Sequence, residues 1–474
     1  MKTKIPRKCL RRVILPVFAG FLLSFMLFSC NMLRDSEKPS DIDRDTQNVS
    51  PAGDDSESVR QPDILDGESG DENAETVSDS TVIGNVPHSI SPEAESWASH
   101  YEAAFGAGSA DEVILDENGI RSYNSRIIEN CNAVYDMSDV PEAFTGDEIR
   151  GMILLYSLPK GDKYDKTGTQ IDSAKAQYVL DNRALDAVPE SVIPRRAVIT
   201  ERCDLKSLPT PLDYFEHGDK HYSAIQETEL IVGFPVLVLH ESADGGFLFV
   251  RSYYYNGWIP SSSAAYADDV EYLMFASPEN YVTVTEPYVA VGGNDGGTSV
   301  KLSMGTRLPY VRENSESFFV SAPVRDEDGR LTLVEEAISK EHSYYGSLPY
   351  TVRNYYRQAF RYIGTYYGWG GAGGGVDCSG FVCSVFRSFG IYLPRNTGMQ
   401  SRYNGEVIDI SALTLSSLAE LKYPASIHRK GHVMLFLGIK DSVPYIIHAP
   451  RGGEQVSVAS LDFPGNLTNI CVLH

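Results

Sequence analysis

The stretch "GWGGAGGGVDCSGFVCSVF", residues 368–386, sets a cysteine directly after a glycine tract and directly before an apolar run. Cys378 in that place can be core filler, half of a disulfide, a metal ligand or a nucleophile. The apolar spacing from about Ser379 to Phe389 predicts a helix that Gly390 ends. Cys378 then stands at a helix start, where unpaired N–H groups and the positive end of the dipole favour a thiolate. The glycines before it let the backbone approach a substrate with no side chain in the way, and nearby N–H groups can serve an oxyanion. Cys383, further along the helix, reads as packing.

A cysteine nucleophile needs a base. The same end of the chain offers His428, His432, His448 and His474. His432 opens the strand pattern "HVMLFLG" and His448 closes "YIIH". A hairpin centred near residue 440 sets the two almost opposite each other on one sheet face, as a base and its orienting partner. His428, in "SIHRKGH", reads as loop. Zinc bound by Cys378, His432 and His448 is the metal alternative.

Around these residues the order of elements predicts an α+β domain over 346–474. "LPYTVRNYYRQAFRYIG" places Val352, Tyr356, Phe360 and Ile363 on one helix side. The strands "GEVIDI", "HVMLFLGIK", "PYIIHAP" and "TNICVLH" follow the second helix. Upstream, short β-branched and aromatic runs punctuated by Gly and Pro predict two small all-β barrels, residues 193–273 and 274–340. Residues 91–192 read as mainly helical and irregular. There Trp97, Tyr101 and Phe105 recur at four-residue steps, and Thr145 with Glu148 spells a helix start.

The first 90 residues are of another kind. Six basic residues precede an apolar run from Val13 to Phe28 that ends in "LFSC", a targeting segment over 1–30. It resembles a bacterial lipobox with Cys30 as the lipidated residue, although Phe28 stands where a small residue is usual. A plain transmembrane anchor is the alternative, and both readings export the chain and hold it at a membrane. Residues 31–90 read as a disordered acidic tether, and 31–95 carry 17 acidic and 4 basic side chains of a chain whose net charge is −23. That charge argues against nucleic acid as a partner. Of the seven cysteines, Cys9 and Cys30 belong to the leader. The other five are odd in number and contain no C-x-x-C pair, which argues against a disulfide framework or a structural zinc site.

"YGWGG" (367–371), "DCSGFV" (377–382), "GHV" (431–433) and "IIHA" (446–449) together resemble the signature of the NlpC/p60 cysteine peptidases, over about residues 346–474. Gly257 and Trp258 resemble the Gly-Trp pair of bacterial SH3 domains. An exported leader, a stabilising segment, two SH3-like barrels and a peptidase resemble the γ-D-glutamyl-L-diamino acid endopeptidases of that family. The resemblance implies a papain-like fold that needs no cofactor and no metal. It implies that Cys378 attacks the γ-D-glutamyl carbonyl of a peptidoglycan stem peptide or muropeptide fragment, that His432 moves the proton, and that His448 orients His432. It implies that Asp377, Ser379 and Trp369 shape the substrate site. It also implies that a tyrosine of the first SH3 domain, Tyr255 with Tyr254 as rival, helps select a free N-terminal L-alanine. Relatives often carry an acid after the arginine of "LPRNTGMQ", where this chain has Asn396. An amide supplies no counter-charge for an ammonium, so another acid must supply it or the preference is absent. The rival functions are an amidase or acyltransferase on the same scaffold, and a wall-binding protein that uses its SH3 domains without catalysis.

Overall fold

The structure, a computed structural model, describes residues 91–292 and 299–474. The leader with Cys30 and the tether, both assigned to residues 1–90, lie outside the described residues. The chain begins with α1 (Pro92–Phe105), where the Ser91 side chain accepts from the Ala94 N–H and Pro92 fills the first turn. Next come α2 (Glu117–Asn130), α3 (Gly146–Leu154) and α4 (Ser173–Asp181). Both bonds of the Thr145–Glu148 capping box are present at α3, as the spacing predicts. This segment is not an independent unit. Trp97, Tyr123 and Ile127 share one hydrophobic core with Leu205 of the first barrel and with Phe381 and Val433 of the C-terminal domain.

The first barrel contains β1 (Arg195–Ile199), β2 (Cys203–Lys206), β3 (Gln226–Leu230), β4 (Pro235–Glu241), β5 (Phe247–Arg251), β6 (Asn256–Pro260) and β7 (Ala264–Tyr266). Its strands lie in the order β3-β2-β6-β5-β4-β1-β7. Gly257 and Trp258 lie in β6, and Trp258 is fully buried. A Cβ on Gly257 would meet Leu205 Cδ2 at 2.3 Å, so the crossing with β2 demands glycine.

After α5 (Asp269–Ala276) the second β unit has β8 (Tyr281–Val284), β9 (Tyr288–Val291), β10 (Val300–Ser303), β11 (Arg307–Glu313), β12 (Ser317–Arg325), β13 (Leu331–Ser339) and β14 (Ser343–Tyr345). Five strands run β13-β12-β11-β8-β14, and β9 with β10 makes a separate hairpin. Because β14 pairs with β8, this unit continues past residue 340.

The C-terminal domain opens with α6 (Val352–Phe360). Val352, Tyr356 and Phe360 are buried as expected, whereas Ile363 lies beyond the helix end and is 46% exposed. The central helix α7 (Cys378–Arg387) has every residue buried. It is followed by α8 (Thr397–Tyr403), β15 (Glu406–Asp409), α9 (Leu415–Ala419), β16 (Ala425–Arg429), β17 (His432–Lys440), β18 (Val443–His448), β19 (Ser457–Ser460) and β20 (Leu467–Val472). The sheet order is β15-β20-β16-β17-β18-β19. His428 therefore does not lie in a loop. It sits buried in β16, an interior strand between β20 and β17, with its Nε2 at 2.9 Å from Ser426 Oγ. The mixed composition of "ASIHR" hides that strand from a periodicity reading, because interior strands need not alternate.

One cluster of charges joins the first helix to the C-terminal domain. Arg353 on α6 reaches Glu95 at 2.6 Å and Glu102 at 2.7 Å on α1, and Asp111 at 2.8 Å. Arg357 adds a 2.7 Å bond to Glu95. Arg353→Leu leaves Glu102 and Asp111 without their cation and Glu95 with Arg357 alone. It is expected to cost about 2 kcal/mol in urea unfolding, the scale of hydrogen bonds to charged groups, and to expose residues 92–111 to proteases. A change of less than about 0.5 kcal/mol would mark the cluster as a solvated surface feature.

Candidate active site

Asp377 begins the site. It is the N-cap of α7, and its Oδ1 accepts from the Gly380 N–H at 2.7 Å. Its Oδ2 accepts from the Gly370 N–H at 2.8 Å. Arg395 donates to both carboxylate oxygens, at 2.9 and 2.7 Å, and also to Ser379 Oγ at 2.9 Å. Its Nε donates to Thr228 Oγ1 on β3 at 2.8 Å. Burial alone raises the Asp377 carboxyl, but the Arg395 guanidinium and the two N–H bonds outweigh it and hold the pKa below its ordinary value. Asp377 and Ser379 are thus held by protein partners and fix the start of the helix that carries Cys378.

Cys378 lies one residue into the helix, with its Sγ 3.7 Å from Thr397 Oγ1 at the start of α8. The Val433 N–H, next to His432 at the start of β17, is near enough to draw the thiol pKa down. A bulge between Phe436 and Gly438 shifts the β17–β18 register, and Leu435 pairs with Ile447. That register sets His448 opposite Met434 rather than opposite His432. Met434 and His432 share a face, being two residues apart. The rings meet diagonally, with His432 Nε2 at 2.8 Å from His448 Nδ1. With Nε2 engaged, Nδ1 is the other His432 nitrogen, and the hydrogen-bond partner of Cys378 Sγ is Thr397 rather than His432. Among the described residues no group of three or more His, Cys, Asp or Glu side chains is arranged to hold a metal ion.

The first barrel supplies a second wall. The Tyr255 hydroxyl donates to Asn396 Oδ1 at 2.7 Å, which separates it from its rival. Tyr254 is buried against Phe234. The Trp369 ring stands 5.5 Å from that of Tyr222. Four contributors escape the sequence reading: Tyr222, Glu227, Tyr367 and Thr397. Tyr222 accepts the Gly452 N–H at 2.8 Å on the loop after His448. Tyr367 lies close enough to Cys378 and Asp377 for their charges to add to the effect of burial, which keeps its hydroxyl protonated. Glu227 on β3 is raised by burial to about 7, against the pull of Arg395, and its charge is felt at Tyr255. The charge of an acidic residue therefore acts on Tyr255 even though position 396 is an amide.

The glycines answer to a different need from the one expected. A Cβ on Gly370 would meet Gln226 Cγ at 2.7 Å, and one on Gly371 would meet Glu229 Cδ at 2.7 Å. These two clear a path for strand β3 of the barrel, not for a substrate. Cys383 is core, lying 3.4 Å from the Pro394 carbonyl, and the five cysteines Cys131, Cys203, Cys378, Cys383 and Cys471 are all free and buried.

The NlpC/P60 family matches residues 364–471, and the SH3 domain of the SH3b1 type matches residues 213–260. Two curated relatives are named gamma-D-glutamyl-L-lysine dipeptidyl-peptidase. The protein from Bacillus cereus (strain ATCC 10987 / NRS 248) is 27% identical over 257 residues, covering 50% of this chain and 72% of its own. That from Bacillus subtilis (strain 168) is 23% identical over 243 residues, covering 50% and 76%. A solved NlpC/P60 endopeptidase from Photobacterium damselae subsp. piscicida shares the fold, with a TM-score of 0.63 at 20% identity over 82% of this chain and 98% of that one.

The electrostatics of the site reverse one expectation. Burial pushes the Cys378 thiol above its ordinary 9.0, and Asp377 pushes it further, although the Val433 N–H and Thr397 pull the other way. Burial, then the neighbouring His448, lowers His432 to about 3. The resting pair is a neutral thiol and a neutral imidazole. Alkylation of Cys378 by iodoacetamide should then be slow at pH 5–7 and climb through pH 9, as the thiolate appears. A rate plateau between pH 5 and 7 would instead reveal a preformed thiolate–imidazolium pair.

Proposed function

We propose, from the premise that the chain carries an NlpC/P60 domain joined to an SH3 domain, that it hydrolyses the bond between γ-D-glutamate and the following diamino acid in peptidoglycan stem peptides. The contact that carries this reading is the His432–His448 pair beside the start of α7, where Cys378 is held by Asp377. His432 Nδ1 takes the thiol proton as Sγ attacks the γ-carbonyl. Tyr367, kept protonated, and nearby backbone N–H groups are the donors at hand for the oxyanion. His432 then returns the proton to the leaving amine, and the C–N bond breaks to give a thioester. Water, deprotonated by His432, adds to the thioester and releases the carboxylate and the thiol.

The acyl side of the substrate is set by the barrel. Tyr255, Asn396 and Glu227 form a group of two neutral hydrogen-bonding side chains and one acid, which suits the ammonium of an N-terminal alanine. Glu227 supplies the charge that Asn396 lacks. The enzyme is then a dipeptidyl type, releasing L-Ala-γ-D-Glu. The names of the two Bacillus relatives support this reading.

Digestion of L-Ala-γ-D-Glu-diaminopimelate, followed by mass spectrometry, tests it. The wild type should add one water and release the dipeptide, whereas transfer to another amine would indicate an acyltransferase. Cys378→Ala should lose activity by about 10³-fold or more while staying folded. Unchanged turnover would sink the assignment. Because the Glu227 pKa is raised, the carboxylate is present above about pH 7 and lost below it. KM for the free-amine substrate should therefore rise as pH falls through 7. N-acetylation of the substrate, or Glu227→Gln, should raise KM about tenfold or more and remove that pH dependence.

We further propose that the chain is exported and held at a membrane by lipid on Cys30, a reading that the "LFSC" sequence supports. Cys30→Ala should abolish incorporation of labelled palmitate. Labelling that persists in the variant would exclude Cys30 as the anchor.

A further inference from the structure

The hydrolytic scheme leaves one set of contacts unused, those on the glycine tract. Between Trp369 and Gly374 the backbone turns through four left-handed residues, with φ of 58° at Gly370, 80° at Gly371, 66° at Gly373 and 80° at Gly374. The sequence of this segment, "WGGAGG", contains no polar side chain beyond the indole N–H that could lock such a conformation. Glycine populates both signs of φ about equally, so the tract by itself has many conformers. Its carbonyls are held from outside. Gln226 Nε2 donates to Gly370 O at 3.1 Å, and Arg202 Nη2 to Gly371 O at 2.8 Å. Both belong to the first barrel. The Tyr288 hydroxyl, at the start of β9 in the second β unit, donates to Gly374 O. Lys301 lies 3.9 Å and Arg202 5.8 Å from the centre of the Tyr288 ring, so cations fix the ring that makes the third contact.

The held tract has a direct product. It presents the Gly370 N–H to Asp377 Oδ2 and then runs through Gly375 and Val376 into Asp377 itself. Asp377 in turn sets the start of α7 and with it Cys378. We propose that Gln226, Arg202 and Tyr288 are positioning residues for Cys378, and that the second β unit, through Tyr288, is a working part of the active site. If the tract is released, only the fraction of molecules that keeps the Gly370 N–H on Asp377 remains competent. The rate falls by that fraction while the substrate-binding side chains stay in place.

Tyr288→Phe tests this in the full chain, because it removes one hydroxyl and keeps the ring and its cation contacts. Tyr310→Phe, elsewhere in the same β unit, is the control. The kinetic readout rests on the proposed hydrolysis. Amide hydrogen exchange over residues 369–380 does not. In Tyr288→Phe, kcat should fall about 5- to 20-fold with KM within about twofold, while Tm is unchanged. Exchange should quicken at Gly370 and at Gly380, the two amides that donate to Asp377. Tyr310→Phe should change neither. A wild-type kcat in Tyr288→Phe would overturn the proposal, and so would unchanged exchange at those two amides. If the wild type itself fails to cleave the stem peptide, the proposed function fails, and the exchange comparison alone decides whether Tyr288 holds the site.

Discussion

The Asp377–Arg395 ion pair is the constraint on which the rest of the site depends. Both groups are buried, and desolvation alone would disfavour the charge on each. Taking two charges out of water costs several kcal/mol per ion, and attraction repays it only when geometry is good and the remaining donors and acceptors are satisfied. Here they are satisfied. The carboxylate takes two guanidinium bonds and two backbone N–H bonds, and the guanidinium also holds Ser379 and Thr228. Replacing either partner alone would strand the other charge in the core. The arrangement is therefore all or nothing, and it makes the start of the catalytic helix a property of several segments at once.

Those segments come from different domains. Thr228 and Gln226 lie on β3 of the first barrel, Gly370 in the glycine tract, Gly380 in α7, and Arg395 in the loop before α8. The barrel is thus not an appendage to a finished peptidase. It completes the shell of hydrogen bonds around the ion pair, and its Tyr255 reaches Asn396. The N-terminal helices contribute in another way, through a hydrophobic core that runs without a break from Trp97 to Phe381. This sharing accounts for the glycine pattern. Backbone that must pass within van der Waals range of β3 cannot carry a Cβ, and left-handed φ at four positions excludes most other residues.

What the sequence revealed and what it hid divide along physical lines. Cys378, His432 and His448 were legible because each sits at a recognisable element end, and a hairpin closing near residue 440 brings the two histidines to one sheet face. The bulge at Phe436–Gly438 was not legible, yet it leaves the histidines on the same face, so the pairing survives the shift. The capping box at Thr145 is a local signal and was readable. Thr228 and Arg202 were hidden because their partners Arg395 and Gly371 lie more than 140 residues away in the chain, and no periodicity encodes such a contact. His428 was hidden because its strand is interior and mixed in composition. Ile363 follows the helical spacing, but the helix ends before it. The thiol pKa was misread because a helix start is visible in sequence and burial is not.

An Asp used as the N-cap gives the helix a strong start, but it places a negative charge one residue from the nucleophile. The charge opposes a thiolate, as burial does, and the low pKa of His432 opposes an imidazolium. Separating charge in the resting site would cost energy on both groups. In the proposed hydrolysis the cost falls when a carbonyl carbon is in reach, because the proton leaves Sγ as the new C–S bond forms and the negative charge moves to the carbonyl oxygen. In that scheme the protonated Tyr367 is the donor at hand for the oxygen. On the proposed function, a buried neutral pair ties ionisation to the presence of a substrate, and the same burial is expected to guard the thiol between turnovers.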